Sequence, residues 1–408
     1  MIKILTFISV IFIITSSLIS AEGWKRQYSN ATERLEDVFF LNNNTGWISG
    51  ADGTFMKTEN AGLIWKSSNF SSPHFIGSIY FINENTGWVS GRYDYISISY
   101  KTTDGGINWN VQLFDLTAFY SAGLRFFNEN TGWLINCGNT DGWRILKTTN
   151  GGDIWMNTYV GHYVSSIYFL NEQTAWATGC NSNATQGAIL KTTNGGVNWL
   201  DTFIPETVQL QSVYFANENT GWAVGIDGAV LKSTNGGSGW IEQNRTRSLT
   251  SVKFINDKTG WISGFAGILK TTNGGDDWGY QNVNQLIWGT CFVNGNTGWA
   301  VGTEGLIYKT TDGGGDFEVI PKKFELFQNY PNPFNPKTTI KFSMPERGSV
   351  KLNVYDLSGK LVAKLVDNVY EKGNHKIVFN AEGLASGVYF YKIVTDKNVV
   401  TKKMVLVK

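Results

Sequence analysis

The sequence has 408 residues and a formal net charge of +1, and 42% of its residues are hydrophobic and 14% aromatic. This composition excludes a disordered chain, and 46 glycines disfavour a helical bundle, so we expect a turn-rich β protein. The balanced charge disfavours nucleic-acid binding, and three histidines offer few ligands for a metal. We therefore expect no nucleic-acid partner, no metal and no cofactor.

Residues 1–21 predict a secretory signal peptide. Lys3 supplies an early positive charge, an apolar run extends from Ile4 to Ile14, and small residues end at Ala21, after which we expect cleavage. The apolar run is shorter than the roughly 20 residues that a spanning helix needs. The exported chain has an odd number of cysteines, which argues against a disulfide framework but leaves open whether the first two pair. They are Cys137, Cys180 and Cys291.

A homologous unit recurs seven times within residues 22–320. One copy reads SVYFANENTGWAVGIDGAVLKSTNGGSGW, and its first tryptophan recurs about every 42 residues, the distance from Trp47 to Trp299 divided by six. Turn signals divide each copy into four strands, as in one propeller blade. We therefore predict an all-β fold with a seven-bladed β-propeller, in which the repeated tryptophans pack between blades. These are Trp47, Trp88, Trp133, Trp176, Trp222, Trp261 and Trp299.

The turn before the last strand of each copy carries the pattern T-x-D-x-G-x-x-W, as in TTDGGINW from Thr102 to Trp109. A short Asx side chain can bond to nearby backbone N–H groups, and glycine accepts a positive φ. Acid and amide alternate at the Asx position, which indicates a structural role in the turn rather than catalysis. The residues are Asp104, Asn150, Asn194, Asn235, Asn273 and Asp312.

From about Trp24 to Phe317, NTGWAVG followed by KTTNGGxxW resembles the photosystem II stability and assembly factor family of Asp-box, or BNR-type, propellers. This resemblance implies a non-enzymatic propeller that binds a protein. Asp-box propellers also include sialidases and xyloglucanases, so a secreted glycoside hydrolase is the alternative. The carboxylates of Asp94, Asp141 and Asp227 do not pair by spacing, and we favour a binding or scaffold module.

Two loop features of the second to fourth copies predict a ligand surface. Their connections GRYDYISISY, NCGNTDGW and GCNSNATQG are longer than GIDG of the fifth copy, and aromatic residues precede their first strands. Both features lie on one face of a meander, where they could bind sugar rings or peptide side chains. Alternatively, these side chains pack the loop roots. The candidate binding residues are Phe75, Tyr93, Asp94, Tyr95, Tyr120, Asn139, Asp141, Trp143, His162, Tyr163 and Asn183.

The N-terminal segment predicts how the ring closes. GWKRQYSN, from Gly23, aligns with GWIEQNRT, from Gly239, at the last strand of a copy. The seventh copy has only Phe317 at the corresponding tryptophan position. We therefore predict that residues from Trp24 to Tyr28 form the outer strand of the seventh blade.

Residues 321–329 predict a linker, and residues 330–408 a small immunoglobulin-like β-sandwich. The segments PNPFNP, VYDLSGK, LASGVYFYK and KKMVLVK resemble the type A C-terminal sorting domain of the type IX secretion system. This resemblance implies a partnership with that machinery and export through the periplasm to the cell surface or medium. Residues 22–320 have a net charge of −8 and residues 321–408 of +8. We expect a monomer whose propeller binds an unidentified surface protein or polysaccharide.

Overall fold

The computed structural model describes residues 23–68, 75–138, 142–205, 207, 209–315, 317–319, 321 and 323–408. All regular elements within these ranges are β-strands. Within these ranges we find no helix that could span a lipid bilayer. The predicted signal peptide, residues 1–21, lies outside the described residues.

The strands from Lys25 to Val319 form seven antiparallel sheets in the described ranges. Strand β1 (Lys25–Gln27) precedes them. Sheets 1 to 4 contain β2 (Leu35–Phe40), β3 (Gly46–Gly50), β4 (Phe55–Thr58) and β5 (Lys66–Ser67); β6 (Phe75–Phe81), β7 (Gly87–Tyr93), β8 (Ile96–Thr102) and β9 (Asn110–Asp115); β10 (Ala118–Phe126), β11 (Gly132–Gly138), β12 (Trp143–Thr148) and β13 (Met156–Gly161); and β14 (Tyr163–Phe169), β15 (Ala175–Cys180), β16 (Gly187–Thr192) and β17 (Leu200–Ile204).

The same meander continues through the remaining sheets. Sheets 5 to 7 contain β18 (Leu210–Phe215), β19 (Gly221–Gly225), β20 (Ala229–Ser233) and β21 (Ile241–Arg245); β22 (Leu249–Phe254), β23 (Gly260–Gly264), β24 (Gly267–Thr271) and β25 (Gly279–Tyr280); and β26 (Ile287–Phe292), β27 (Gly298–Gly302) and β28 (Ile307–Thr310). The first strands of successive sheets pack side by side, and β26 of the last sheet packs against β2 of the first. The sheets therefore close a ring.

One tryptophan of each sheet forms the contact with the next sheet. Trp222 is fully buried and stacks on Phe254 of the following sheet at a centroid distance of 3.5 Å. A Cβ atom on the preceding Gly221 would lie only 2.6 Å from Phe215 of the same sheet. Any residue with a side chain at position 221 would therefore displace this phenylalanine ring. The ring closes on Trp299, which stacks on Phe40 at 3.4 Å. The other pairs are Trp47 with Phe81, Trp88 with Phe126, Trp133 with Phe169, Trp176 with Phe215 and Trp261 with Phe292.

The Asx turns contribute to the same contacts. The side-chain oxygen of Asn150 accepts hydrogen bonds from the Thr148 hydroxyl at 2.9 Å and from the Ile154 amide at 3.0 Å. In the turn so formed, the Gly151 carbonyl accepts a hydrogen bond from the Trp88 indole of the preceding sheet at 2.9 Å. Tight turn geometry and packing between sheets thus depend on one motif.

The N-terminal segment pairs with the end of the ring, as the alignment of Gly23 with Gly239 predicts. β1 is antiparallel to β28 and lies at the outer edge of sheet 7. Trp24 is buried, and its indole donates a hydrogen bond to the side-chain oxygen of Gln281 at 2.8 Å. After β28 the chain instead adds β29 (Glu318–Val319) to β25 of sheet 6. Both chain ends of the ring are thereby paired.

The C-terminal region contains two further sheets among the described residues, and they enclose a separate hydrophobic core. Fully buried Phe342, Leu352 and Tyr391 lie in this core. The strands are β30 (Glu325–Leu326), β31 (Lys337–Met344), β32 (Gly348–Tyr355), β33 (Leu361–Tyr370), β34 (Gly373–Asn380), β35 (Gly387–Thr395) and β36 (Val399–Leu406). Their orders are β30-β31-β34 and β33-β32-β35-β36.

The structure differs from the predicted linker at residues 321–329. β30 lies within this range and pairs with β31, and Leu326 is buried in the C-terminal core. The proline-rich segment is also packed: Phe334 is buried, and its amide donates to the Val405 carbonyl at 3.0 Å. Proline and asparagine favour an extended hinge, whereas burial of the apolar side chains of Leu326 and Phe334 stabilises the segment against the module.

Candidate functional site

The inner strands enclose a central channel with a cavity of about 490 Å³. Each inner strand has a register shift near its start, for example between Leu35 and Asp37 in β2 and between Leu210 and Ser212 in β18. Such bulges re-aim the side chains that follow. The residues after each bulge line the channel in stacked layers.

The narrow middle layer is formed mainly by small residues. Their hydroxyls tie neighbouring sheets together: the Ser78 oxygen accepts from the Leu124 amide at 3.2 Å, and the Ser212 oxygen from the Val252 amide at 3.3 Å. At the equivalent position of sheet 1 stands Asp37. The layer comprises Asp37, Ser78, Gly123, Ser166, Ser212, Ser251 and Gly289.

Asp37 accepts the corresponding hydrogen bond between sheets with its carboxylate instead of a hydroxyl. Its two oxygens accept from the Val38 amide at 2.9 Å and from the Ile79 amide at 3.1 Å. Burial raises the pKa of Asp37 to about 6, although the positive charge of Lys253 and these two amides favour the ionised form. The channel therefore contains a carboxyl group that titrates near neutral pH.

One end of the channel is lined by larger side chains, and we call these seven residues the cationic mouth. Arg125 lies over the Tyr80 ring at 4.7 Å, and the rings of Tyr168 and Tyr214 are 4.7 Å apart. Burial raises the pKa of both of these tyrosines, so their hydroxyls keep their protons at neutral pH. The cationic mouth comprises Phe39, Tyr80, Arg125, Tyr168, Tyr214, Lys253 and Cys291.

The opposite end of the channel contains a paired acid. The Arg34 guanidinium forms an ion pair with Glu36 and lies over the Trp288 ring at 4.9 Å. Burial raises the pKa of Glu36 even so, against the lowering effect of Arg34. The two ends of the channel thus differ in chemistry.

The surface predicted from the sequence lies around that opposite end, on sheets 2 to 4. We call its described residues the rim: Tyr93, Asp94, Tyr95, Trp143, His162, Tyr163 and Asn183. The long connection of sheet 2 is mostly regular strand, because Arg92 pairs with Ser97 and Tyr93 with Ile96. The turn between them holds Asp94 at a positive φ of 51° and leaves Tyr95 79% exposed. This connection is a raised hairpin rather than an irregular loop.

Aromatic residues from sheets 3 and 4 meet at the rim. The Trp143 and Tyr163 rings are 4.3 Å apart, and both side chains are half-buried. His162 lies 5.3 Å from the Phe203 ring, and one of its ring nitrogens is 3.4 Å from a carboxylate oxygen of Asp201. Asn183 lies in an exposed turn of sheet 4. The structure therefore brings residues of neighbouring sheets together there.

One other predicted residue, Phe75, does not extend this surface. Phe75 is only 8% exposed and lies between the guanidiniums of Arg34 and Arg92, at 5.6 and 5.5 Å, which corresponds to the alternative of loop-root packing. Asn139 and Asp141 lie outside the described residues, as does the side chain of Tyr120.

The described residues contain no group of three or more His, Cys, Asp or Glu side chains that could hold a metal ion. Cys137, Cys180 and Cys291 are free thiols. Burial raises the pKa of Cys137 to about 11, and that of Cys291 likewise. These thiols are protonated at neutral pH and are poor nucleophiles.

Sequence reasoning missed the channel residues. Asp37, Arg125 and Lys253 occupy inward positions at which most other copies carry serine or an aromatic residue. Aligning the seven inner strands residue by residue would have shown these departures. Loop length instead predicts a ligand surface at the rim.

A closed ring of four-stranded antiparallel sheets with recurrent Asx turns defines a β-propeller, here combined with a second all-β module. Family models agree: the photosynthesis system II assembly factor YCF48 matches residues 16–112 and 200–293, and the secretion system C-terminal sorting domain matches residues 328–408. The chain thus combines a YCF48-like propeller region with a type IX sorting domain, and both resemblances inferred from its motifs are confirmed. Such a sorting domain indicates secretion to the cell surface or beyond.

Solved structures show the same fold. "YCF48 bound to D1 peptide" is 19% identical, with a TM-score of 0.58 over 71% of this chain and 97% of that one. YCF48 from Cyanidioschyzon merolae is 17% identical, with a TM-score of 0.57 over 71% and 98%. The extracellular domain of a hybrid two-component system from B. thetaiotaomicron is 10% identical, with a TM-score of 0.56 over 94% and 57%. No curated protein matches the sequence significantly.

Proposed function

We propose that this chain is an exported, non-enzymatic binding propeller delivered by the type IX secretion system. The observation that carries the proposal is the fusion of a YCF48-like propeller region with a sorting domain at residues 328–408. In this proposal the seven sheets are the seven blades of a domain spanning residues 22–320. The C-terminal module is an immunoglobulin-like sandwich, and the Asx residues of the turns have structural roles.

The proposed route begins with the signal peptide at residues 1–21. The chain crosses the inner membrane, folds in the periplasm as a monomer, and crosses the outer membrane when the type IX machinery recognises its C-terminal module. The net charge of +8 in residues 321–408, against −8 in residues 22–320, gives the module a surface that an acidic partner could recognise separately.

We propose the rim as the surface that captures a surface protein or polysaccharide. Tyr93 and Tyr95 are exposed on a raised hairpin, and the paired rings of Trp143 and Tyr163 lie on the adjoining sheets. Rigid aromatic side chains bind sugar rings and peptide side chains at low entropic cost. The solved complex of YCF48 with a D1 peptide supports a protein segment as ligand.

Two of the three carboxylates considered for the hydrolase alternative, Asp94 and Asp227, lie among the described residues and support the non-enzymatic assignment. Asp227 forms an ion pair with Arg245 at 2.8 Å, and Asp94 belongs to a hairpin turn of a different sheet. A glycosidase needs two carboxyl groups facing one bond, roughly 5 to 10 Å apart. These residues lie in separate turns of sheets 5 and 2.

Cell fractionation tests the export route. Removing residues 328–408 should leave a folded propeller in the periplasm, whereas the full chain should reach the surface or medium. An internal control, Tyr95→Ala in the full chain, should be exported normally. Surface display of the truncated chain would contradict the proposal.

Parallel glycan and peptide arrays test the ligand surface. Tyr93→Ala and Trp143→Ala should each abolish capture of a positive ligand with little change in melting temperature, because both side chains are at least partly exposed. Tyr28→Ala, which removes an exposed aromatic that follows β1 of sheet 7, outside sheets 2 to 4, should leave capture unchanged. Lower stability with unchanged capture would show that the rim aromatics only pack the loops. Release of reducing sugar by the wild-type chain would favour the hydrolase.

A further inference from the structure

The cationic mouth concentrates positive charge without a carboxylate in the same layer. Arg125 and Lys253 come from sheets 3 and 6, and the other five residues of the mouth are aromatic or a protonated thiol. Lys253 is exposed to solvent. The Nε atom of Arg125 is buried without a hydrogen-bond partner in the described part of the chain. A buried donor of this kind favours an added acceptor.

The groups around these cations select a carboxylate. A guanidinium presents parallel N–H donors that match the two oxygens of a carboxylate, and the ammonium of Lys253 adds a second charge. Tyr168 and Tyr214 keep their hydroxyl protons and can donate as well. The flanking rings of Phe39 and Tyr80 offer apolar contact to whatever carries the carboxylate.

The layers of the channel limit how far an anion can enter. One layer below the mouth, Asp37 presents a carboxyl group in the layer that also contains Ser78 and Ser212. Repulsion from an ionised Asp37 opposes movement of a ligand's carboxylate from the mouth into this deeper layer. The mouth therefore admits the end of a chain, while the rest of that chain extends outward over the aromatic rings.

We propose that the cationic mouth binds the C-terminal carboxylate of a peptide chain. The mouth lies at the ends of the inner strands, on the face of the ring opposite the rim, so this site does not depend on the ligand proposed for the rim. Arg125 and Lys253 hold the carboxylate, and the rings of Phe39, Tyr80 and Tyr214 contact the last side chain.

Calorimetric titration of residues 22–408 with N-acetyl-Gly-Gly-Phe tests the proposal. The peptide with a free carboxylate should bind, and its C-terminal amide should bind roughly tenfold or more weakly, as expected for loss of a charged hydrogen-bond acceptor. Equal affinity of acid and amide, or no binding of the acid at millimolar concentration, would overturn the proposal. Glucuronate distinguishes a peptide end from a sugar acid: tighter binding of glucuronate than of the peptide would also overturn it.

Variants locate the binding on the mouth. Lys253→Met should lower the affinity for the peptide with a free carboxylate roughly tenfold. Arg125→Lys keeps the positive charge but loses the parallel N–H donors of the guanidinium, and it should also lower this affinity while the protein stays folded. Lys258→Met removes a lysine from the β22–β23 turn on the same face but outside the channel wall, and it should bind like wild type. A melting temperature recorded for each variant establishes folding. Unchanged affinity in a folded Lys253→Met variant would show that the carboxylate binds elsewhere.

Discussion

The contacts between sheets and the wall of the channel are built from the same repeats, yet they differ in how uniform they are. Between sheets, the stacked pair of Trp222 and Phe254 recurs at five other contacts with almost the same geometry, and at the remaining contact Trp133 is tilted on Phe169. Along the channel, Asp37 stands where Ser78 and Ser212 stand in other sheets. The residues that are the same in every sheet hold the ring closed. We infer that the channel residues that differ between sheets provide the chemistry specific to this protein.

Among the changes to the ring contacts, removal of residues 23–28 should have the largest effect on stability. It deletes β1, empties the site of buried Trp24 and leaves Gln281 without its indole donor. We expect a loss of about 4–8 kcal/mol in the free energy of unfolding, measured by denaturant titration. Tyr28→Ala, at an exposed position of the same segment, should change it by less than about 0.5 kcal/mol. An unchanged transition after the deletion would mean that the ring does not need β1.

Trp222→Ala breaks one regular contact between sheets. The fully buried indole loses its stacking on Phe254 and its hydrogen bond to the Gly274 carbonyl. The expected cost is about 3–5 kcal/mol. Trp143→Ala, at the half-buried rim, serves as the matched control and should cost markedly less. Equal losses for the two variants would contradict the distinction between ring contacts and rim.

Asp37→Ser sharpens the comparison, because it restores the residue type of the other sheets at a departing position. The folded-state pKa of Asp37, about 6, lies above its ordinary value of 3.8, so ionisation costs stability as pH rises through this interval. Serine avoids that cost and can still accept from the Ile79 amide. Above pH 7 we expect a gain of about 1–2 kcal/mol, discounted for solvent in the channel.

Thermal unfolding at several pH values checks this prediction. The difference in stability between Asp37→Ser and wild type should be smallest near pH 4 and should reach its plateau above about pH 7. Ser78→Ala removes the equivalent hydroxyl, which does not titrate. Its effect on stability should therefore be the same at every pH. A stability difference for Asp37→Ser that falls as pH rises would show that the carboxylate stabilises the ring.

Asp104→Asn should have the smallest effect. Asp104 accepts from the Thr102 hydroxyl at 2.8 Å and from the Asn108 amide at 2.9 Å. Asn194 makes the corresponding bonds with one amide oxygen in its own turn. We expect a change within about 0.5 kcal/mol by denaturant titration. A loss above 2 kcal/mol would indicate that the acid has a role beyond shaping the turn.

The fold was largely predictable because its signals are local and repeated. Tryptophan spacing, Asx turns and the resemblance of the Gly23 and Gly239 segments indicated the meanders and the pairing of β1. The packing of the segment from β30 to Phe334 was not predictable, since proline and asparagine occur in both hinges and packed turns. The channel escaped prediction because Arg125 and Lys253 are 128 residues apart in the sequence and meet only when the ring closes.

The central distinction is tested most directly by measuring melting temperature and affinity for N-acetyl-Gly-Gly-Phe on two variants, Lys253→Met and Trp24→Ala. The account predicts that Lys253→Met loses roughly tenfold in affinity with an unchanged melting temperature. Trp24→Ala, which empties a buried position at the outer edge of sheet 7, should melt at a lower temperature, yet bind the peptide like wild type at a temperature where it is folded. Destabilisation by Lys253→Met with unchanged affinity, or loss of affinity in folded Trp24→Ala, would contradict the separation of scaffold from site.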